Sequence, residues 1–331
     1  MVAQMSAGPP RVGASPAAAG NGPAASVLAA TVARLYYLEG ASKSEIAEEL
    51  GLSRFKVARV LDQARDSGLV RIELHYEGEV DLDLSVRLAS HLKLRRCLVV
   101  DAPEDDIVQL RTALGRVAAG LLSEIVERDD VLGMAWSRTL RAMASSLVEL
   151  KPCAVVQLSG ALSLSDVDEG SIELVREVAR IAGGPAFCFY APMIVPAAGT
   201  AESLRAHSEV ARAMERFSDV TKAVLSIGAW QPGDSTVVDA ITVAEFKADK
   251  RLGVCAELCG IQLDEHGEPV TTALSERIIG IPAEQLRKVD EIIAVAYGNS
   301  KAAAVRAAVR GGFVTDLITH TSLAERLLEL S

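Results

Sequence analysis

Short apolar segments alternate with amphipathic segments of helical periodicity from about residue 95 to the end of the chain. The apolar segments predict strands at Cys97–Val100, Asp130–Ala135, Ala154–Leu158, Ala186–Tyr190, Lys222–Ile227 and Ile292–Ala296. The segments between them predict helices at Ile107–Glu127, Ser137–Leu150, Ile172–Ala182, Glu202–Ser218 and Lys301–Arg310. Apolar strands that alternate with helices are typical of a mostly parallel sheet covered on both faces. We therefore predict a doubly wound, Rossmann-like α/β domain over residues 95–331.

Ligands of such sheets bind beside the carboxyl ends of the strands, so the loops that follow the strands are the expected site. These loops contain Gly133 to Thr139, Gln157 to Gly160, Tyr190 to Pro192, Gly228, and Gly298 to Lys301. The first and last loops place hydroxyl groups and a cationic side chain at the start of a helix. A helix N-terminus with such groups favours anions. Together they predict a site for a phosphorylated or otherwise anionic small molecule, although either glycine taken alone is compatible with a simple turn.

Residues 26–74 have the pattern of a helix-turn-helix DNA-binding domain. A first helix ends at Gly40, and Ser42 and Glu45 form a capping box that opens a second. Gly51 ends the second helix and Ser53 caps a third, in which Val57, Val60, Leu61 and Ala64 form one apolar stripe. Two helices joined by a short turn with glycine are typical of this motif. Leu69–Leu74 alternates like a short strand.

The outer face of the third helix has the residue types that read DNA. Removing the apolar stripe leaves Ser53, Arg54, Phe55, Lys56 and Arg59 near the start of that helix, with Lys43 on the second helix. Arginine pairs with guanine edges, lysine with phosphate, and an aromatic ring can contact a thymine methyl. Residues 26–71 hold seven basic and six acidic side chains in a chain of net charge −10. The alternative is a small helical domain with a solvated charged face.

Composition limits the remaining classes of protein. Residues 1–25 are mostly Ala, Gly, Pro and Ser, which predicts a disordered tail. Five cysteines, without paired ligands at zinc spacing, are expected to be reduced thiols of a cytoplasmic protein rather than a metal site. No signal peptide and no membrane span are predicted. Residues 75–94 read as a linker or oligomerisation helix. The Ala- and Leu-rich stretches 81–94 and 107–128 are candidate contact surfaces, with ordinary core as the alternative for each.

Several motifs, in this order, resemble the SorC family of bacterial sugar-responsive transcription regulators over about residues 26–330. They are Gly51-Leu-Ser-Arg54 with Val57, Gly133-Met-Ala-Trp-Ser-Arg-Thr-Leu140, Gln157-Leu-Ser-Gly160, Arg277-Ile-Ile-Gly-Ile281, Ala296-Tyr-Gly-Asn-Ser-Lys301 and Ala308–Leu317. The resemblance implies a helix-turn-helix joined to a sugar-phosphate-isomerase-like effector domain. It also implies a tetramer whose binding to DNA changes when a phosphorylated sugar or sugar derivative binds.

The resemblance implies effector contacts from Gly133, Ser137, Arg138 and Thr139, from Glu257, and from Lys301. Two positions depart from the family pattern: Ser137 stands where the family usually has glycine, and His320 where an acid is more usual. Both departures bear on which effector binds more than on the fold.

The residue types leave several roles open. Lys301 suits electrostatic binding of an anion, a Schiff base with an aldehyde sugar, or a solvated position at a helix start. Glu257 suits acceptance of sugar hydroxyls. Gln157 suits either a hydroxyl of the ligand or a cap. Trp136 is suited to stack on a sugar ring or to pack in the core. Arg277 is suited to bind an anion or to pair with an acidic side chain. Gly160 and Gly228 are included in the predicted effector site because they occupy strand-end loops.

These observations favour a sequence-specific DNA-binding regulator of carbohydrate metabolism, controlled by a small effector and needing no cofactor. Two or more copies on spaced half-sites would offset the modest charge of one DNA-binding unit. The alternative is a sugar-phosphate isomerase or deaminase with an accessory DNA-binding domain, although its acid/base pair would be incomplete. A third interpretation is an architectural DNA-binding protein without an effector, which would give the apparent effector domain no role. The sequence leaves open the effector's identity, the operator, and whether binding activates or represses.

Overall fold

The computed structural model describes residues 22–71, 79–162 and 170–330. The chain divides into two compact units, Met1–Glu77 and Gly78–Ser331. Within the described residues, no helix is both long and apolar enough to cross a bilayer. Residues 1–21 of the tail predicted over 1–25 lie outside the described residues, and the end of that predicted tail is helical instead, because the first helix begins at Pro23.

The first unit contains three helices, α1 (Pro23–Tyr37), α2 (Lys43–Glu49) and α3 (Arg54–Asp66). The predicted capping box of α2 is present, because the Ser42 hydroxyl accepts from the Glu45 N–H and the Glu45 carboxylate accepts from the Ser42 N–H. Gly51 has a φ of +64°, a left-handed conformation that glycine adopts without strain, and it ends α2. The core lies between the helices and contains Val32, Leu35, Ile46, Ala47, Val57, Val60 and Leu61.

The second unit is built on an eight-stranded sheet with the order β1-β2-β11-β10-β6-β3-β4-β5. Its strands are β1 (Val80–Asp81), β2 (Arg96–Val100), β3 (Val131–Met134), β4 (Ala154–Gln157), β5 (Ala186–Phe187), β6 (Lys222–Ser226), β10 (Glu291–Val295) and β11 (Asp316–His320). All neighbouring strands are parallel except β1 against β2. A second, antiparallel sheet contains β7 (Gly228–Ala229), β8 (Ala256–Leu258) and β9 (Ile261–Leu263).

Helices connect these strands. They are α4 (Leu82–Leu92), α5 (Ile107–Ile125), α6 (Arg138–Ser146), α7 (Ser171–Ala182), α8 (Ala198–Ala206), α9 (Ser208–Met214), α10 (Thr236–Asp239), α11 (Val243–Arg251), α12 (Ala283–Leu286), α13 (Ala302–Arg310) and α14 (Thr321–Glu329), with 3₁₀ turns at Glu215–Asp219, Ser275–Arg277 and Asn299–Lys301. The predicted mixed α/β fold with a mostly parallel sheet is confirmed. Strands β6 and β10 are almost wholly buried, which explains why they read as continuous apolar runs.

The structure differs from the predicted elements in four places. The helix predicted over Glu202–Ser218 is divided into α8, α9 and a 3₁₀ turn, because His207 adopts an extended conformation between them. The segment 75–94, predicted as a linker or oligomerisation helix with ordinary core as the alternative, includes α4, whose Leu84 and Leu88 are buried in the core of the second unit. Strand β11 and the small antiparallel sheet were not predicted. Of the strand predicted at Leu69–Leu74, the described part, 69–71, is irregular, and 72–74 lies outside the described residues.

His320, one of the two departures from the family pattern, is a buried structural residue. It ends β11 and caps α14, its Nδ1 accepting from the Ser322 N–H at 3.4 Å. Its Nε2 donates to the carbonyl of Ala102 at 2.7 Å, which ties the loop after β2 to the end of β11. The imidazole therefore satisfies backbone groups of two neighbouring strand ends.

Candidate functional site

A cleft lies at the carboxyl ends of the central strands of the sheet. The loops after β3, β4, β6 and β10 line it, together with β8 and the segment 233–239. On one side of β3 the sheet continues with β4 and β5, and on the other side with β6, β10 and β11. The direction in which the chain adds strands therefore reverses between β3 and β6. Open α/β sheets bind their ligands at this reversal. The cleft is open to solvent and has a cavity volume of about 100 Å³.

The loop after β3 ends in a capped helix N-terminus that faces the cleft. Ser137 caps α6, its hydroxyl oxygen accepting from the Leu140 N–H at 3.1 Å, and the same oxygen lies 2.6 Å from the Ser226 hydroxyl oxygen at the end of β6. This pair of hydroxyls spans the gap between β3 and β6. Arg138 and Thr139 occupy the first turn of α6 and line the cleft. Thr139 is only 3% exposed, and its hydroxyl makes no hydrogen bond within the described part of the chain.

A tyrosine ring holds two cations on the opposite side of the cleft. Tyr297 follows β10, and its hydroxyl accepts a hydrogen bond from Nε of Arg111 on α5 at 2.8 Å. The ammonium of Lys301 lies 5.3 Å from the centre of the same ring and donates to the carbonyl of Ile227 at 3.1 Å. Both cations line the cleft. Cations near an aromatic face are attracted to it, so the ring orients them without neutralising their charge.

A buried carboxyl group forms the floor of the cleft. Glu257 on β8 accepts hydrogen bonds from the Ser235 hydroxyl at 2.9 Å and from the Gly260 N–H at 3.4 Å. Burial raises the pKa of Glu257, and these hydrogen bonds and the charge of Lys301 offset only part of that rise. A side chain at Gly228 would meet this carboxylate, because an added Cβ would lie 2.4 Å from Glu257 Oε1. Glycine is therefore required where β7 crosses the floor.

Most of the predicted effector residues meet in this one cleft. They are Ser137, Arg138, Thr139, Gly160, Gly228, Glu257 and Lys301. Trp136 lines it as well. Residues from four separate strand ends and from the antiparallel sheet thus come together, although up to about 160 positions separate them in the sequence.

Two predicted effector residues, Gly133 and Gln157, do not line the cleft. Gly133 lies within β3, and a Cβ there would approach the side chain of Leu158 to 2.8 Å, so this glycine permits close packing inside the sheet. Gln157 is fully buried, and its amide donates to the Ser159 carbonyl at 2.8 Å while its oxygen accepts from the Phe189 N–H at 3.1 Å. Of its two predicted roles, the structure favours the capping role, because the Gln157 amide bonds backbone groups of the loops after β4 and β5.

Sequence reasoning missed three contributors to the cleft. Arg111 projects from α5, a helix that the strand-end rule does not consider. Tyr297 lay inside a quoted motif without an assigned role. The segment 233–239 follows no strand of the main sheet, yet its residues Asp234, Ser235, Thr236 and Asp239 line the cleft. The cluster of Gly, Asp, Ser and Thr in that segment was the available signal.

Arg277 has a structural role in the second unit. Its guanidinium donates to the carbonyls of Ala273 and Val195 at 3.2 Å and forms an ion pair with Glu245. Of the two open alternatives, the structure therefore supports pairing with an acid.

The five cysteines are free thiols. Within the described ranges, no group of three or more His, Cys, Asp or Glu residues is arranged to hold a metal ion.

In the first unit, the start of α3 presents an exposed basic face. Ser53 caps the helix through the Lys56 N–H at 3.2 Å. Arg54, Phe55, Lys56 and Arg59 are exposed, and Phe55 reaches 85%. An exposed phenylalanine flanked by cations contributes nothing to the core of this unit, so its apolar surface is available to a partner. Lys43 at the start of α2 lies 5.7 Å from the ring of Tyr36.

Comparison with known families identifies the second unit by sequence. Residues 76–329 match the family model described as "Putative sugar-binding domain". The match covers more than half of the chain and includes every residue that lines the cleft.

Known proteins resemble the chain along most of its length. The "Uncharacterized transcriptional regulator YjhU" of Escherichia coli is 32% identical over 302 residues, which covers 89% of this chain and 92% of that protein. The "Transcriptional regulator LsrR" of Klebsiella pneumoniae is 29% identical, with 92% and 93% covered. The crystal structure of the full-length sorbitol operon regulator SorC from Klebsiella pneumoniae superposes with a TM-score of 0.71 at 22% identity, covering 92% of this chain and 99% of that one.

Proposed function

This chain belongs to the SorC family of transcriptional regulators with a sugar-binding domain, and from that premise we propose that it is a DNA-binding regulator controlled by a small phosphorylated sugar or sugar derivative. The effector occupies the cleft of the second unit, and the three helices of the first unit bind operator DNA. The observation that carries the proposal is the cleft itself: hydroxyls and cations of three strand ends surround a buried carboxyl group at the reversal of strand order.

The first unit supports DNA binding through its turn and its exposed face. Helices α2 and α3 are separated by the four residues 50–53, the short turn of a helix-turn-helix. In that arrangement α3 enters the major groove with its N-terminal residues toward the bases. We assign base contacts to Arg54, Phe55 and Arg59, and phosphate contacts to Lys43, Ser53 and Lys56.

The cleft supports a phosphorylated sugar because it combines two kinds of recognition group. Cationic side chains and the start of α6 suit a phosphate. The buried acceptor Glu257 suits sugar hydroxyls, which donate to a carboxylate. We infer that Glu257 serves in binding rather than in proton transfer, because the nearest groups that it bonds are a serine hydroxyl and a backbone N–H instead of a second acid or base. The chain acts as a ligand-controlled switch in the cytoplasm rather than as an enzyme.

Self-association is part of the proposal. A unit with a net charge of about +1 over residues 26–71 neutralises few phosphates, and phosphate neutralisation supplies much of the affinity for DNA. Two or four copies bound to spaced half-sites multiply that contribution. An effector that biases the assembly then changes operator affinity by about 5–150-fold, the usual range for coupled sites.

The test begins with DNA selection. Full-length protein is used to enrich binding sequences from a random duplex library, and the affinity for the enriched sequence is measured by fluorescence anisotropy at fixed salt. The double variant Arg54→Ala/Arg59→Ala is expected to lose at least about tenfold in affinity, since each specific base contact contributes about 1–3 kcal/mol. Arg65→Ala is the matched control, because Arg65 is exposed in the last turn of α3 and pairs with Asp62.

The effector half is tested on the same complex. Sugars, polyols and their phosphates are added, and each compound that shifts the anisotropy is recovered and checked for conversion. An unconverted phosphate ester that changes DNA affinity, when its parent sugar does not, supports the proposal. Conversion of the ligand would favour the isomerase or deaminase alternative. Enrichment of no sequence, or equal binding by the double variant and wild type, would overturn the DNA-binding assignment.

A further inference from the structure

The cationic groups of the cleft form two sets at opposite ends. The first set is at the start of α6, after β3, and contains Arg138 with the Ser137 and Thr139 hydroxyls. The second set contains Lys301, which follows β10, and Arg111 of α5, and both lie beside the Tyr297 ring. Strand β6 lies between β3 and β10 and is bonded to both, so two strand spacings separate the strand ends that precede Arg138 and Lys301. Two strand spacings amount to about 10 Å.

Each set has unused hydrogen-bond donors directed at the cleft. The Thr139 residue is 3% exposed and lines the cleft, so its hydroxyl is available to a ligand at the first end. At the second end, Arg111 uses only Nε, which bonds the Tyr297 hydroxyl, and its two terminal nitrogens make no further bond within the described ranges. Lys301 uses one of its three protons, toward the Ile227 carbonyl. A planar guanidinium beside an ammonium is suited to an oxyanion.

The acidic groups of the cleft have hydrogen-bond partners other than Arg111 and Lys301. Asp239 accepts a hydrogen bond from the Gly233 N–H at 2.8 Å, and Asp234 accepts one from the Gln231 side-chain amide. Both carboxylates therefore form hydrogen bonds within their own loop. Glu257 is bonded to Ser235 and Gly260, and burial favours its neutral form by raising its pKa. No ion pair joins these three acids to Arg111 or Lys301 among the described residues. The terminal nitrogens of Arg111 and two of the three protons of Lys301 are therefore available to an anionic ligand.

We propose that the effector carries two anionic groups, one at each end of a short polyhydroxylated chain, and that Arg111 and Lys301 bind the second group. The proposal rests on the proposed function, since it takes a phosphate at the α6 end as given. A hexose chain bridges a gap of this size, with its hydroxyls above Glu257 and Ser235. The second group is a carboxylate or a phosphate, so the chemical class is a phosphorylated sugar acid or a sugar bisphosphate.

The experiment is isothermal titration of the full-length protein with three ligands that differ at one position. Glucitol 6-phosphate has one anionic group, 6-phosphogluconate replaces its C1 alcohol with a carboxylate, and glucitol 1,6-bisphosphate replaces it with a phosphate ester. One or both of the ligands with two anionic groups are expected to bind at least about tenfold more tightly than glucitol 6-phosphate, because charge-assisted hydrogen bonds contribute that much. Which ligand gains identifies the second group.

Variants locate the effect at the second end. Arg111→Met is expected to remove most of the gain that the ligands with two anionic groups have over glucitol 6-phosphate, when all three affinities are measured on the same variant. Arg116→Met is the matched control, because Arg116 lies on the same helix, is exposed, and pairs with Glu79 instead of lining the cleft. Tyr297→Phe retains the ring and removes the hydroxyl that orients Arg111, so a partial loss is expected there even if Arg111→Met folds poorly.

The outcomes separate the two proposals. If glucitol 6-phosphate binds and neither ligand with two anionic groups binds more tightly, the inference is overturned and the proposed function stands. A gain that survives both Arg111→Met and Tyr297→Phe would also overturn the assignment of the second end. If none of the three ligands binds, the sugar-phosphate function fails together with the inference.

Discussion

Replacement of Lys222 by methionine is expected to destabilise the second unit by about 3 kcal/mol at pH 7. The Lys222 ammonium lies at the amino end of β6, 2.8 Å from Asp130 and 3.5 Å from Glu291. The three side chains are only 10%, 12% and 17% exposed. Methionine keeps the length and apolar character of the side chain, so the substitution removes the charge while largely preserving the packing.

The expected cost follows from the two carboxylates that are left behind. Breaking a buried ion pair by removing one partner costs about 3–5 kcal/mol, because the remaining charge is desolvated and uncompensated. The low end of that range applies here for two reasons. The carboxylates retain some exposure, and Glu291 keeps ion pairs with Arg95 at 2.8 Å and Arg96 at 2.5 Å. Asp130 keeps only its hydrogen bonds from the Thr221 hydroxyl and the Glu127 N–H.

The cost should depend on pH in a defined direction. Burial by itself raises the pKa of Asp130, but the hydrogen bonds from Lys222 and Thr221 outweigh it, and the net pKa is below the ordinary 3.8. In the wild type, the stability from Asp130 is therefore present above pH 3.8 and is lost as the pH falls through the lower, folded value. Without Lys222, the lowering by its charge and its hydrogen bond is lost, so the pKa of Asp130 rises relative to the wild type. Protonation then relieves the buried charge, so the cost of the substitution should shrink as the pH falls through the pKa of Asp130 in the variant.

Urea unfolding followed by tryptophan fluorescence measures this cost in the full chain. Both tryptophans, Trp136 and Trp230, lie in the second unit, so the signal reports that unit alone. Measurements at two protein concentrations separate unfolding from dissociation of any assembly. Lys151→Met is the matched control, since the Lys151–Glu127 pair is 48% and 65% exposed and should contribute at most about 1 kcal/mol. A cost for Lys222→Met below about 1 kcal/mol at pH 7, or one that does not decrease as the pH is lowered toward acid unfolding, would refute this reasoning.

Three further substitutions test the cleft and the helix beside it. Gly228→Ala should abolish effector binding measured by titration, because its Cβ would lie 2.4 Å from Glu257 Oε1; retained affinity would contradict the close approach. Glu257→Gln should stabilise the second unit increasingly as the pH rises, because the raised pKa of Glu257 makes its ionisation costly in the folded state; unfolding midpoints that run parallel across pH would count against this. Gly120→Ala on the exposed face of α5 should stabilise the unit by about 0.5–1 kcal/mol, measured by urea unfolding, because nothing lies within 4 Å of an added Cβ. A loss of stability would contradict the open space at this position.

Local signals predicted the elements that depend on neighbouring residues. The capping box of Ser42 and Glu45 is present because both partners lie within one helical turn. The central parallel strands were recognised because burial on both faces makes them apolar throughout. The same rule failed for β11, whose Asp316, Thr319 and His320 are buried polar residues of a strand that no apolar run marked. The division of the Glu202–Ser218 segment also had no clear local signal, since its residues all suit a helix.

The site was predictable to the extent that it follows strand ends. Ser137, Arg138, Thr139 and Lys301 were found because the carboxyl ends of parallel strands meet at one edge. Gly133 was assigned to the same edge, although it lies within β3, one residue before the strand ends. Apolar character alone does not fix the end of a strand to within one residue. Arg111 was missed because its position on a helix says nothing about which strand end that helix passes.

The sequence by itself determined the two-part organisation, the alternation of strands and helices, and the residue types available to bind an anion, because these depend on periodicity, caps and composition. Only the tertiary structure decided which of those residues meet. The strand order placed β6 between β3 and β10 and so separated the two sets of cations, and the antiparallel sheet brought Glu257 beneath them. Such juxtapositions arise from pairing between strands distant in the chain, and no local pattern encodes the partner of a strand.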